Sequence, residues 1–122
     1  MENNPLFLKR SSEFNRIKDE GKRYWVTNWL LFNYTLEVSE ASSLRVGVTA
    51  SRKVGSAVVR NKLKRWTRFY FQDLPEGSEG YKLELNIIFK PIDKGFYKGL
   101  SYAEYKKSLD LGLKRIFKNV KI

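Results

Sequence analysis

The sequence contains neither cysteine nor histidine. Without cysteine, the chain can form no disulfide, no thiolate zinc site, no iron–sulfur cluster and no cysteine nucleophile. Without histidine, it lacks the commonest general base and metal ligand, which excludes nearly every hydrolase that uses a catalytic triad. Any side-chain catalysis would therefore depend on carboxylates, lysine, tyrosine or serine.

Long apolar runs are also missing. No stretch approaches about 18 consecutive apolar residues, and residues 1–5 have neither the charged nor the apolar region of a signal peptide. We therefore expect a cytoplasmic protein with no membrane partner. The 122 residues are 42% hydrophobic, enough for a real core, so we expect a single domain over residues 1–122. Residues 1–8 and 119–122 are expected to be flexible ends.

Acidic residues are absent from the middle of the chain. The whole sequence has 24 Lys and Arg against 13 Asp and Glu, a formal net charge of +11, yet residues 41–72 contain eight basic and no acidic side chains. A basic domain with few catalytic groups more often binds a polyanion than performs chemistry. The missing carboxylates also argue against a nuclease in which the protein itself holds Mg²⁺.

The remaining sequence shows a regular succession of helix and strand patterns. We predict a helix over residues 11–20, strands over 29–38 and 44–50 joined as a hairpin, a helix over 57–74, a strand over 82–89, and a last helix capped by Ser101 and Glu104. The order αββαβα predicts an α+β fold in which a small mixed β-sheet packs with three helices.

The central helix has two distinct faces when it is projected at about 100° per residue. One face is apolar and carries Val59, Leu63, Trp66, Tyr70 and Leu74. The opposite face carries Arg60, Asn61, Lys64, Arg65 and Arg68. A solvated face, a membrane surface and a nucleic-acid surface are all compatible with this pattern. The absence of acidic partners on the face and the cations Arg52 and Lys53 just before the helix favour nucleic acid, since a polyanion would relieve the repulsion between like charges.

The segment from Ser51 to Arg65 reads Ser-Arg-Lys-Val-Gly-Ser-Ala-Val-Val-Arg-Asn-Lys-Leu-Lys-Arg. It resembles the signature of the bacterial ribonuclease P protein component, whose helix carries an Arg-Asn-x-x-Lys-Arg core. The resemblance covers nearly the whole chain, including the Leu-Arg-Val-Gly strand ahead of this segment and the Phe89-Lys90-Pro91 strand end.

This resemblance implies the protein subunit of a ribonucleoprotein endonuclease that removes the 5′ leader from precursor tRNA. It implies that the RNA subunit is the catalyst, that Mg²⁺ is held mainly by this RNA, and that the protein contributes no catalytic residue. The implied partners are the ribonuclease P RNA and precursor tRNA, with no protein partner required. The family also implies a left-handed βαβ crossover, against the usual rule. A structural RNA-binding protein of the ribosomal type is the alternative.

The resemblance also assigns two sets of binding residues. Contacts to the RNA subunit fall on Arg52, Lys53, Arg60, Asn61, Lys64, Arg65 and Arg68. Leader contacts, in a cleft between the first helix and the sheet, fall on Phe14, Tyr34, Lys18 and Lys90. Aromatic rings suit this task because unpaired bases stack on them without sequence preference. Lys18 stands where many members have a second aromatic residue. Core packing of Phe14 and Tyr34, and a solvated strand end at Lys90, are the alternatives.

Overall fold

The computed structural model describes residues 6–93 and 95–119, with only the backbone described at Leu6. The elements are β1 (Leu6–Phe7), α1 (Ser11–Glu20), β2 (Lys22–Trp25), β3 (Leu30–Val38), β4 (Ser43–Ala50), α2 (Ala57–Tyr70), β5 (Tyr81–Phe89), α3 (Phe96–Gly99) and α4 (Tyr102–Lys118). The predicted α+β fold is confirmed, and all six predicted elements are present. The sequence analysis missed β1, β2 and α3, since elements of two to four residues are too short to show a period.

The strands form one mixed sheet in the order β1-β4-β5-β3-β2. Strand β4 is parallel to β1 and β5, whereas β3 is antiparallel to β2 and β5. The predicted hairpin of β3 with β4 is wrong because β5 lies between them. Residues 83–87 of β5 are all buried, and a strand covered on both faces is favoured at the centre of a sheet.

Strands β4 and β5 are parallel neighbours that are joined through α2, so they form a βαβ unit. This is the unit in which the family resemblance implies a left-handed connection. The handedness stays a prediction.

The main core lies on the face of the sheet that packs against α2 and α4. It takes alternate residues from the central strands, including Phe32, Val46 and Leu85. Helix α4 buries one stripe of side chains, Tyr105, Leu109, Leu113 and Ile116, against this core. Gly112 lets α4 approach β3 closely, because a Cβ atom at this position would lie 2.6 Å from the buried Phe32 ring.

Helix α2 contributes Leu63 to this core, with Val59, Trp66 and Tyr70 packed at its margin, as predicted for the apolar face. The predicted end of the helix at residue 74 is wrong, because α2 ends at Tyr70 and Leu74 packs on the core from the following loop. Thr67 is also fully buried, which the hydrophobic pattern did not predict. Its hydroxyl lies 2.8 Å from the Leu63 carbonyl oxygen and 2.6 Å from the Tyr105 hydroxyl. These two hydrogen bonds satisfy a polar group that burial would otherwise destabilise.

Helix α1 crosses the opposite face of the sheet. The Asn33 amide of β3 donates to the Ile17 carbonyl oxygen at 3.2 Å, and Ile17 is fully buried. At the other end of the helix, the Phe14 ring packs on Gly47 of β4. The main core and α1 therefore lie on opposite sides of one sheet.

The flexibility expected for residues 1–8 and 119–122 stays a prediction. Residues 1–5 and 120–122 lie outside the described residues. Within the described part, β1 pairs with β4, and the Leu8 N–H donates to the Val46 carbonyl oxygen at 2.7 Å. The N–H of Asn119 donates to Arg115. No helix among the described residues is long and apolar enough to cross a membrane.

Candidate nucleic-acid interface

Helix α2 presents its predicted polar face away from the buried Leu63. Asn61, Arg65 and Arg68 are exposed, while Arg60 and Lys64 are half-buried. Ser56 caps the helix, since its hydroxyl accepts a hydrogen bond from the Val59 N–H. The Arg60 guanidinium Nε donates to the Gly55 carbonyl oxygen at 3.2 Å, which ties the face to the preceding loop.

Arg52 and Lys53 extend this face into the turn between β4 and α2. Both are exposed, and the turn is closed by a hydrogen bond of 3.0 Å from the Val54 N–H to the Ser51 carbonyl oxygen. The Val54 side chain is buried in the main core. An anchored turn therefore places two further cations beside the start of α2. We call these seven residues the basic surface: Arg52, Lys53, Arg60, Asn61, Lys64, Arg65 and Arg68.

The cations of the basic surface have no carboxylate partners among the described residues. The ion pairs found there are Arg16 with Glu20 and Glu84, Arg45 with Glu13, and Lys106 with Asp110. Positive charge without counter-charge on a rigid helix attracts a polyanion and is available to neutralise its phosphates.

Phe14 lies close to this surface. It lines a groove of about 270 Å³ together with Lys64 and Arg68 of α2 and with Gly47 and Val48 of β4. A Cβ atom at Gly47 would lie 2.4 Å from the Phe14 ring, so only glycine permits this position of the ring. The structure thus brings a predicted leader residue next to two predicted RNA-subunit residues.

Tyr34 lies on the other side of the sheet. In β3 it follows the alternation of Phe32 and Leu36, and it packs at the margin of the main core. It lines a second groove, of about 530 Å³, with residues that include Lys22 and Ile116. The expectation that Phe14 and Tyr34 share one cleft is therefore wrong, because they project from opposite faces of the sheet.

The two predicted leader-binding lysines lie on different elements. Lys18 is exposed on α1. Lys90 directly follows β5, where its N–H donates to the Trp29 carbonyl oxygen at 2.9 Å and its carbonyl oxygen accepts from the Tyr97 hydroxyl. Its ammonium Nζ lies 5.9 Å from the centre of the Trp25 ring, within reach of a cation–π contact.

Trp25 is a candidate residue that the sequence analysis missed. It lies on β2, and 52% of its surface is exposed. The aromatic pair Tyr24-Trp25 after the α1 helix was a possible signal of a strand. Exposure of the ring, however, depends on the position of β2 at the edge of the sheet and could not be deduced from the sequence.

The described residues do not fit a protein-held Mg²⁺ site. They contain no group of three or more His, Cys, Asp or Glu side chains that could hold a metal ion. Glu84 and Glu13 instead accept hydrogen bonds, from Arg16 and the Arg10 N–H respectively, and these bonds lower the pKa of both carboxyl groups. We therefore assign no reaction step to a metal ion on the protein.

Known proteins resemble this chain over almost its entire length. The family model described as Ribonuclease P matches residues 3–117. The ribonuclease P protein component of Bacillus cereus (strain AH187) is 33% identical over 116 residues, which cover 91% of this chain and 95% of that protein. The corresponding protein of Halalkalibacterium halodurans is 34% identical over 102 residues, covering 84% and 80% of the two chains.

A solved structure agrees with these sequence matches. The RNase P protein from Staphylococcus aureus has 27% sequence identity and a TM-score of 0.69, and the match covers 100% of this chain and 97% of that one. The segment that carries the basic surface lies within the matched residues 3–117. Together with the fold, these similarities show that the chain belongs to the ribonuclease P protein family.

Proposed function

We propose that this chain acts in the bacterial cytoplasm as the protein subunit of ribonuclease P, binding the RNA subunit and the 5′ leader of precursor tRNA. It thereby assists endonucleolytic removal of the leader, which produces the mature 5′ end of the tRNA. The observation that carries the proposal is the basic surface of α2, which family membership connects with ribonuclease P RNA. Membership of this family does not favour the alternative of a ribosomal RNA-binding protein.

Contact with the RNA subunit follows from the charge and rigidity of the basic surface. Its cations lie on a capped helix and an anchored turn, so no backbone has to be ordered when they meet phosphates. Each phosphate that they neutralise releases counterions, which makes binding favourable at low salt. Asn61 is exposed among them and offers both a donor and an acceptor to sugar or base edges.

The catalyst in this proposal is the RNA subunit. The chain has no histidine or cysteine, and residues 41–72 supply no carboxylate. Mg²⁺ belongs with the phosphates of the RNA, because the described residues do not fit a magnesium site. The contribution of the protein is then to raise substrate affinity and to lower the Mg²⁺ concentration that cleavage requires.

Leader binding is supported by the groove that Phe14 shares with Lys64 and Arg68. An aromatic ring beside two cations suits single-stranded RNA, since bases stack on the ring while the cations contact phosphates. This groove borders the basic surface, so leader and RNA subunit can bind side by side. Lys18 and Lys90 would contact leader phosphates from α1 and from the end of β5. For Tyr34 to contact the leader as well, the RNA strand would have to pass around the edge of the sheet, because Tyr34 and Phe14 lie on opposite faces.

The test is reconstitution of the full chain with a bacterial ribonuclease P RNA. We expect the protein to increase cleavage of precursor tRNA at low Mg²⁺ and to increase affinity for precursor over mature tRNA. The control replaces the chain by a variant in which Arg60, Lys64, Arg65 and Arg68 are changed to glutamine. No gain in cleavage with the unaltered chain would contradict the proposal, and cleavage by the protein without RNA would contradict the assignment of the catalyst.

A further inference from the structure

On the sheet face crossed by α1, one row of residues is exposed to solvent at its two ends. Trp25, Leu31, Ile88 and Thr49 are partners in register across β2, β3, β5 and β4, so they form one transverse row on this face. The adjacent row contains Asn33 and Gly47, which contact α1. Leu31 is buried, yet Trp25 and Thr49 are exposed at the two ends of its row. This row, which we call the floor, is thus buried at its centre and exposed at its two ends.

The floor combines an exposed ring with positive charge. Lys90 lies two residues beyond Ile88 on β5 and approaches the Trp25 ring to 5.9 Å. Arg23 lies two residues before Trp25 on β2, projects from the same face and is exposed. Glu84, the carboxylate of β5, lies on the same face four residues from Ile88 and is paired with Arg16 of α1. The surroundings of Trp25 therefore favour an anionic partner that also has a flat apolar surface.

We propose that Trp25 is a base-stacking residue, on which an unpaired nucleotide of the precursor tRNA leader packs while Lys90 and Arg23 contact the flanking phosphates. A single strand of RNA offers a flat base and a phosphate at each nucleotide, which matches an exposed indole between two cations. About half of the Trp25 residue is exposed, and the flexible Lys90 ammonium, 5.9 Å from the ring centre, can swing aside to a phosphate when a base stacks. This assignment rests on the proposed function and adds an aromatic residue to the predicted leader contacts.

The rigidity of the site supports this role. Trp25 lies within β2, which pairs with β3 over all four of its residues. The backbone of Lys90 is fixed by hydrogen bonds to Trp29 and from Tyr97. The backbones of both residues are therefore fixed before a nucleotide binds, which reduces the entropic cost of binding.

The experiment measures affinity of the reconstituted holoenzyme for precursor and for mature tRNA with Trp25→Ala and Trp25→Phe variants. We expect Trp25→Ala to weaken precursor binding by roughly 5- to 150-fold, the loss of one stacked base, and to leave mature tRNA binding unchanged. Trp25→Phe should retain most of the affinity. The matched control is Val38→Ala, which truncates an apolar side chain that is 58% exposed at the opposite end of β3.

The inference is overturned if Trp25→Ala leaves precursor binding unchanged, or if it weakens the binding of precursor and mature tRNA equally. Thermal melting of each variant identifies a folding defect, and a folded Trp25→Phe protein that loses as much affinity as the alanine variant also contradicts stacking. Failure of the proposed function looks different, because the unaltered holoenzyme would then show no preference for precursor over mature tRNA.

Discussion

Replacement of Arg16 by methionine should destabilise the fold by leaving a buried carboxylate without its counter-charge. The Glu84 side chain is 4% exposed and accepts hydrogen bonds from the Arg16 guanidinium and, at 3.1 Å, from the Thr35 hydroxyl. Methionine keeps the apolar stem of Arg16 but removes all of its donors. The ion pair also holds α1 against β5, so it helps to determine where α1 lies on this face of the sheet.

The magnitude follows from the burial of the two partners. Removing one partner of a fully buried ion pair costs about 3–5 kcal/mol. Here the Arg16 side chain is 40% exposed, so water can reach part of the vacated space, and Thr35 still donates to Glu84. We therefore expect Arg16→Met to lower the free energy of unfolding by about 2 kcal/mol, the cost of one poorly satisfied buried carboxylate.

The assay is urea denaturation of the full chain at pH 7. The control is Glu20→Gln, which breaks only the exposed pair of Arg16 with Glu20, 3.9 Å apart, and should cost about 0.3–0.5 kcal/mol. Adding Glu84→Gln to the Arg16→Met protein removes the buried charge and should restore part of the lost free energy of unfolding. The reasoning is refuted if Arg16→Met costs no more than Glu20→Gln.

The stability that Arg16→Met loses should depend on pH in one direction. The hydrogen bond from Arg16 holds the pKa of Glu84 below its ordinary value, so the pair stabilises the fold above the unfolded carboxyl pKa of about 4.3. This stabilisation is lost as the pH falls through the lower pKa of the folded state. The difference between the unaltered and Arg16→Met proteins should therefore narrow below about pH 4. A difference that stays constant from neutral to acidic pH would contradict the burial argument.

Three further predictions concern the basic surface, the Phe14 groove and the core. Arg65→Ala should weaken assembly with the RNA subunit and flatten the slope of log affinity against log salt by about 0.7–0.9. Arg115→Ala on α4 is the control and should leave the slope unchanged. An unchanged slope for Arg65→Ala would place Arg65 off the interface. Phe14→Ala should weaken the binding of precursor tRNA by about 1–3 kcal/mol and leave the binding of mature tRNA unchanged. If the variant instead loses thermal stability and its preference for precursor over mature tRNA is unchanged, Phe14 has a packing role. Gly112→Ala should lower the free energy of unfolding in urea by about 1 kcal/mol, since overpacking against Phe32 exceeds the gain in helix propensity; increased stability would refute this.

Local patterns in the sequence predicted the helices well. The two faces of α2 follow from a 3.6-residue period, and the structure buries Leu63 while it exposes Arg65 and Arg68. The capping box of Ser101 and Glu104 is present as predicted, because each partner lies within one helical turn of the other. Interactions between residues three or four apart are determined almost entirely by their spacing.

Strand neighbours could not be predicted in the same way. The hairpin of β3 and β4 was a natural prediction from their closeness in the chain, yet β5 separates them in the sheet. Such pairings depend on which strand can bury both of its faces, and this requires knowledge of what packs above and below the sheet. The same long-range arrangement places Phe14 and Tyr34 on opposite faces and exposes Trp25 beside Lys90.

The sequence by itself determined the chemistry that the protein can use. Absence of histidine and cysteine, a middle segment without carboxylates and one basic helical face are properties of composition and short spacing, and they indicate a protein that binds a polyanion. Only the tertiary structure decided which of these groups lie together, because residues distant in the chain meet through sheet order and helix packing. The tertiary structure places Phe14 in one groove with Lys64 and Arg68, places Tyr34 in a different groove, and leaves Trp25 exposed.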